Sequence, residues 1–178
     1  VLAAIKCAQD FAADAVLGFG GGSSMDVAKL AAVLAGSTTQ RLSDIYGVDL
    51  LSGQRVPLVL VPTTAGTGPE FTPVAVVTTG ETTKAGVSSK QLLPDVAVLD
   101  AELTLGLPPL ITGMTGIDAM VHAIEAYTSK IKKNAYSDAL AKEALARLAG
   151  SIVTAVVDGK NVEARANMLF GAMLAGQA

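Results

Sequence analysis

The first hundred residues contain several short apolar runs, each bounded by Gly, Pro or Asp. The three clearest are residues 15–19 (AVLGF), 57–64 (PLVLVPTT) and 95–100 (DVAVLD). Continuous apolar runs of this length are typical of strands buried on both faces, as in a parallel sheet. Two further runs, 72–79 (TPVAVVTT) and 84–89 (KAGVSS), are separated by GETT, which predicts a hairpin.

Helical spacing follows the first of these strands. The apolar positions there are Met25, Ala28, Ala32 and then Leu34 or Ala35. Ser23 followed by Asp26 fits an N-terminal capping box, and Gly36 suits the end of the helix. The sequence therefore predicts a strand, a glycine-rich turn and a helix in direct succession.

The pattern changes after Pro108-Pro109. From there to Ala178, Ala, Leu, Met and Ile recur at helical spacing and no strand pattern is visible. This predicts an α/β fold over residues 1–108, followed by an all-helical domain over 109–178.

Composition narrows the possible functions. Apolar residues make up 51% and charged residues 16% of the 178 residues, which is enough for a packed core. The net charge is −3 and there is no run of basic residues, which disfavours binding to nucleic acid. Gly, Pro and Thr interrupt every apolar stretch before it is long enough to cross a membrane. The single Cys7 predicts a buried thiol in a reducing, cytoplasmic compartment. Because the chain starts at Val1 inside a helical pattern and stops in another, we expect it to be a piece of a longer protein.

The glycine-rich turn, GFGGGSSMDVAK, begins at Gly18 and suggests a phosphate site. Glycines allow close approach of the backbone, and the first turn of a helix offers N–H groups that lack intrahelical partners. The G-x-G-x-x-G pattern fails at Ser23, and no Walker A triplet is present. A tight turn that uses glycine only for packing remains the alternative.

A second loop, PTTAGTGPEFTP (62–73), also follows a predicted strand. It carries the hydroxyl groups of Thr63, Thr64 and Thr67 between glycines. Loops at the carboxyl ends of strands gather around the ligand crevice in open α/β sheets. The two loops together predict one site for pyrophosphate and ribose, although each threonine alone could be a turn residue.

The only histidine lies in TGIDAMVHAIEAYTS (115–129). Asp118 and His122 are four residues apart and share one helix face, which Glu125 and Ser129 continue. Such a pair can supply two ligands to a divalent metal. The predicted packing face is apolar and consists of Met120, Val121, Ile124 and Tyr127. A capping box of Thr115 and Asp118 is the structural alternative for Asp118.

Three stretches together resemble the iron-containing, or group III, alcohol dehydrogenases. They are GGGSSMDVAK, PTTAGTGPEFTPVAVVT and LPDVAVLDAELTLGLPP…TGIDAMVHAIEAYTS, in the order and at the spacings of that family. The resemblance implies a Rossmann-like dinucleotide-binding domain followed by a helical metal domain, both incomplete here. It further implies NAD or NADP as cofactor and Fe²⁺, or alternatively Zn²⁺, as metal. The reaction implied is hydride transfer between the cofactor and an alcohol or aldehyde.

The resemblance also assigns site residues. Cofactor binding is implied for Gly21, Gly22, Ser23, Asp26, Thr63, Thr64, Thr67 and, more loosely, Lys84. Asp118 and His122 match the first two metal ligands, and the family's other two are histidines further downstream. No general base is assigned. Pro69-Glu70-Phe71 replaces the usual Ser-Glu-Val.

The resemblance has consequences for activity and assembly. The chain by itself is expected to be inactive, and the complete protein to be a homo-oligomer. Two alternatives stay open: a zinc enzyme related to glycerol dehydrogenases, and a nucleotide-binding homologue without catalysis.

Overall fold

The structure, a computed structural model, describes residues 1–36, 38–79 and 82–178. It confirms the α/β fold followed by helices. The helices are α1 (Leu2–Asp10), α2 (Gly22–Leu34), α3 (Pro109–Thr128), α4 (Ala135–Val157) and α5 (Val162–Gln177). The strands are β1 (Val16–Gly20), β2 (Gly47–Val48), β3 (Leu58–Pro62), β4 (Val74–Thr78), β5 (Lys84–Ser88) and β6 (Val96–Ala97). Short 3₁₀ helices span Leu42–Asp44, Pro69–Phe71, Lys90–Leu92 and Ala101–Thr104.

The chain forms two compact units. The first comprises Val1–Val61 and Pro69–Val98, and the second comprises Pro62–Gly68 and Leu99–Ala178. The short segment Pro62–Gly68 thus groups with the helices that follow it. The predicted domain boundary at residue 108 stays a prediction.

The first unit contains two small sheets. One has the strand order β1-β3-β6, with β3 and β6 parallel, and the other has the order β2-β5-β4. β4 and β5 are antiparallel, which confirms the hairpin, while Gly80 and Glu81 of its turn lie outside the described residues. The parallel pairing of β2 with β5 was not predicted, because a two-residue strand carries no readable periodicity.

Helix α2 is packed on nearly all sides. Met25, Ala28 and Ala32 are buried, as predicted, and pack with Leu58 and Leu60 of β3. The next face of α2 belongs to a second cluster, which includes Leu30, Val33, Ile45, Val87 and Leu92. Helix α2 is therefore the central helix of the first unit.

Two details of α2 differ from the predictions. Its N-cap is Gly21, and no side chain of a described residue caps it, so the predicted capping box of Ser23 and Asp26 is wrong. Its C-cap is Ala35 in right-handed helical geometry, and not Gly36. Cys7, predicted to be buried, is exposed on α1, because Ile5 is the residue through which that helix packs into the core.

The second unit packs α3, α4 and α5 closely through small residues. A Cβ added to Gly116 of α3 would lie 2.5 Å from Met168 Cε, and one added to Gly171 of α5 would lie 2.8 Å from Leu148 Cγ. Residues 109–178 are all described and contain no strand, as predicted. None of the described helices combines the length and apolar character needed to cross a bilayer.

Candidate functional site

The first predicted loop has the backbone geometry of an open helix N-terminus. Gly20 adopts φ +142°, a conformation that favours glycine, and Gly21 is extended with φ −80° and ψ −177°. Ser23 is exposed, as is Ser24, whose N–H donates to the Gly21 carbonyl at 3.1 Å. Because no side chain caps this end, the position fits an anionic group such as phosphate.

Asp26 is engaged with a neighbouring strand. Its Oδ2 accepts a hydrogen bond from the Val76 N–H of β4 at 3.2 Å. Burial raises the pKa of this carboxyl group, whereas the Val76 hydrogen bond and the charge of Lys29 act in the opposite direction. The structure thus gives Asp26 a partner within the fold, and its cofactor role stays a prediction.

The first part of the second predicted loop, Pro62–Gly68, belongs to the helical unit. Thr63 and Thr64 are half-buried and Thr67 is exposed. A Cβ at Gly66 would lie 3.0 Å from the Thr115 side chain of α3. This contact occurs three residues before Asp118, so the loop lies beside the helix that carries the predicted metal ligands.

Gly68 ends the segment Pro62–Gly68 under a backbone constraint. Its φ of +59° is left-handed, and a Cβ there would lie 2.8 Å from the Ala172 carbonyl oxygen of α5. Any other residue at this position would meet both backbone strain and a steric clash. The segment Pro62–Gly68 is therefore held between α3 and α5.

Asp118 and His122 do share one face of α3. Asp118 Oδ2 and His122 Nδ1 are 3.9 Å apart, and the side chains are 46% and 37% exposed, respectively. A carboxylate oxygen and an imidazole nitrogen are ligand types that suit Fe²⁺ or Zn²⁺. Among the residues that the structure describes, no group of three or more His, Cys, Asp or Glu side chains could hold a metal. The pair thus fits one part of a metal site.

The capping alternative for Asp118 is wrong. α3 begins at Pro109, so Thr115 and Asp118 lie in the helix interior. The Thr115 hydroxyl donates back to the Ile111 carbonyl at 2.9 Å, within the same helix.

The predicted packing face of α3 is also wrong. Its buried residues are small and comprise Thr112, Gly116, Ala119 and Ala123. Val121, Ile124 and Tyr127, predicted to pack, are 44%, 47% and 41% exposed. Small side chains face the other helices because long side chains of α4 and α5 fill the space beside them, as the contacts of Gly116 with Ile152 and Met168 show.

Lys84, the last predicted cofactor residue, is the first residue of β5. It is exposed and lies opposite Thr78 of β4. The structure leaves its side chain accessible, and its contact with a cofactor stays a prediction.

Buried charged residues were missed at the sequence level. Lys29 of α2 is fully buried, Glu70 is 1% exposed and Arg165 of α5 is 2% exposed. The Arg165 guanidinium donates to the Thr112 hydroxyl at 2.6 Å and to the Leu107 carbonyl at 3.2 Å. The one sequence signal for Lys29 is its position inside the apolar run AKLAAVL, where a charged residue must find partners.

Two protein-family models match this chain. The family model described as "Iron-containing alcohol dehydrogenase" matches residues 1–101. A second model, "Fe-containing alcohol dehydrogenase family, C-terminal", matches residues 112–178.

Curated relatives match nearly the whole chain. The "Sulfoacetaldehyde reductase" of Bilophila wadsworthia is 42% identical over 95% of the chain and 43% of its own length. The "Long-chain-alcohol dehydrogenase 1" of Geobacillus thermodenitrificans is 44% identical over 98% of the chain and 44% of its own length. The chain therefore spans less than half the length of these relatives.

Solved structures have the same fold. A 1,3-propanediol oxidoreductase superposes with a TM-score of 0.92 at 35% identity, over 98% of this chain and 45% of its own. The sulfoacetaldehyde reductase of Bifidobacterium kashiwanohense, solved in complex with NAD⁺, has a TM-score of 0.90 at 35% identity. That match covers 98% of this chain and 46% of the reductase.

Proposed function

The chain belongs to the family of iron-containing alcohol dehydrogenases, and from this premise we propose that its full-length polypeptide is an NAD(P)-dependent oxidoreductase. It interconverts an alcohol and the corresponding aldehyde by reversible hydride transfer. The observation that carries the proposal is the packing of the second loop against α3. Gly66 lies against Thr115, one helical turn from Asp118, so threonine hydroxyl groups and candidate metal ligands occur in one compact unit.

Each loop has a distinct role in this proposal. Gly21, Gly22 and Ser23 bind the pyrophosphate through the uncapped N-terminus of α2, where backbone N–H groups and the helix dipole favour an anion. Thr63, Thr64 and Thr67 are the proposed hydrogen-bonding groups of the second loop, and Gly68 fixes its conformation.

Asp118 and His122 are the proposed metal ligands of this chain. When bound, a divalent metal supplies Lewis acidity toward the substrate oxygen, and a nicotinamide cofactor supplies or accepts the hydride. Two protein ligands seldom hold a catalytic metal, so the site requires further ligands. We assign no general base.

The substrate is proposed only as a class, a small alcohol or aldehyde. The relatives named above are a sulfoacetaldehyde reductase, a long-chain-alcohol dehydrogenase and a 1,3-propanediol oxidoreductase, which differ widely in substrate. The matched family is named for iron and for alcohol dehydrogenase activity. This match does not favour a zinc enzyme related to glycerol dehydrogenases, and it does not favour a homologue without catalysis. A cytoplasmic location and a homo-oligomeric assembly stay predictions.

The test is an activity and metal assay on the full-length polypeptide. We expect that protein purified without oxygen and loaded with Fe²⁺ reduces NAD⁺ or NADP⁺ with at least one member of an alcohol panel. Matched samples receive Zn²⁺ or a chelator. Binding of the nicotinamide cofactor without turnover under any metal would contradict the enzyme and support a nucleotide-binding homologue.

A further inference from the structure

The outer edge of strand β4 is bonded by two charged side chains of helix α2. β4 is the last strand in the order β2-β5-β4 and pairs with β5 on one side. On the other side, Asp26 accepts a hydrogen bond from the Val76 N–H at 3.2 Å, and Lys29 Nζ donates to the Val74 carbonyl at 2.8 Å. A strand edge presents N–H and C=O groups of alternate residues. Asp26 and Lys29, one helical turn apart, thus take the place of a neighbouring strand.

Lys29 makes more hydrogen bonds to this segment than Asp26 does. Its ammonium donates to the Thr72 carbonyl at 2.8 Å, to the Thr72 hydroxyl at 3.2 Å and to the Val74 carbonyl. These three acceptors match the three donors of an ammonium group. The side chain is fully buried, and burial lowers its pKa to about 8. A buried charge of this kind is retained in the fold because every donor has a partner.

Glu70 is the buried carboxyl group near Lys29. It lies in the short 3₁₀ helix Pro69–Phe71, is 1% exposed, and its Oε2 has no hydrogen-bond partner among the described residues. Burial raises its pKa to about 7, and the charge of Lys29 acts against that rise. Removal of Lys29 alone would therefore leave a buried carboxyl group without its compensating charge.

Lys29 holds the carboxyl-terminal end of the second loop (62–73) and the first residue of β4. Within that loop, Gly68 is followed by the 3₁₀ helix Pro69–Phe71, and Thr72 comes directly after this helix. The conformation of a short loop depends on where both of its ends are fixed. The second loop begins at Pro62, the last residue of β3, and Lys29 fixes its other end at Thr72.

We propose that Lys29 is a positioning residue for nicotinamide cofactor binding, because it anchors Thr72–Val74 and thereby sets the course of the second loop. Lys29 itself does not touch the cofactor. The proposal rests on the proposed function, since it assumes that Thr63, Thr64 and Thr67 bind the cofactor.

The experiment compares three variants of the full-length polypeptide. Lys29→Met removes the ammonium, and Lys29→Met/Glu70→Gln also removes the carboxylate left uncompensated. Lys6→Met, which changes an exposed lysine of α1 that pairs with Asp10, is the matched control. The Kd for NAD⁺ or NADP⁺ is measured by calorimetry well below the thermal midpoint, together with KM, kcat and metal content.

We expect Lys29→Met to lower the thermal midpoint and to raise the cofactor Kd and KM about tenfold, a factor that corresponds to ~1.4 kcal/mol. Metal content and the KM for the alcohol stay near those of Lys6→Met. The double variant recovers much of the thermal midpoint while its cofactor Kd stays raised, because the bonds to Thr72 and Val74 are still absent.

Two results would overturn the positioning role. One is a normal cofactor Kd in folded Lys29→Met. The other is a double variant whose cofactor Kd recovers together with its thermal midpoint, since charge compensation alone would explain that. If Lys29→Met does not fold, the double variant carries the test. A wild-type protein that binds neither NAD⁺ nor NADP⁺ would refute the proposed function itself, and this inference with it.

Discussion

Replacement of Glu70 by Gln should remove a pH dependence of stability from the region around β4. Burial raises the pKa of Glu70 from 4.5 to about 7. The folded chain therefore keeps this proton over a pH range in which the unfolded chain has released it. The contribution to stability is most favourable below the unfolded pKa and is lost as the pH rises through about 7.

The size of the effect follows from the two pKa values. A shift of one unit corresponds to about 1.4 kcal/mol, so the pKa rise gives a ceiling of about 3 kcal/mol. Between about pH 5 and about pH 7.5, the expected loss in the free energy of opening is about 2 kcal/mol. Lys29, with its pKa lowered to about 8, is largely protonated in both states over this range and adds little slope. The raised pKa of Asp26 gives a slope of the same sign, which is common to both proteins and cancels in their comparison.

Native-state hydrogen exchange of the β4 and β5 amides is a suitable assay. It reports the free energy of opening this region even when the whole polypeptide does not unfold in a single transition. We expect the wild type and the exposed-residue control Glu102→Gln to lose about 2 kcal/mol more stability across the range than Glu70→Gln does. The slope is compared, and not the absolute value, because the Gln amide introduces a constant offset. A Glu70→Gln profile as steep as that of the wild type would refute the reasoning.

Two further predictions concern the proposed site in the full-length polypeptide. His122→Ala should remove bound metal and activity together while leaving cofactor affinity intact, and Asp118→Asn should do the same, with exposed Glu125→Ala as control. A fully metallated, active Asp118→Asn variant would rule out its ligand role, and metal analysis with turnover decides this. Gly22→Val should raise the cofactor Kd about tenfold or more, because a branched side chain blocks the approach of phosphate to the backbone. Calorimetric titration measures this against Gly150→Val on α4, where an added Cβ meets nothing within 4 Å, and equal affinities would leave Gly22 with a turn role only.

Local sequence patterns determined the order and type of most elements. The short apolar runs of β1 and β3, the hairpin of β4 and β5, and the helices after Pro109 all lie where periodicity predicts them. Asp118 and His122 share a face because four residues make about one helical turn, whatever surrounds the helix. These features depend on neighbours in the chain, and for that reason the sequence alone was sufficient.

Only the tertiary structure decided which side chains are buried and which segments pack together. The buried face of α3 is made of small residues, because its neighbours approach closely, whereas hydrophobicity alone pointed to Val121, Ile124 and Tyr127. The segment Pro62–Gly68 groups with the helices through contacts of Gly66 and Gly68 that no local pattern encodes. Lys29 illustrates the same limit. A lysine is ordinarily a surface residue, and it is buried here because three acceptors more than forty residues away in the chain satisfy its charge.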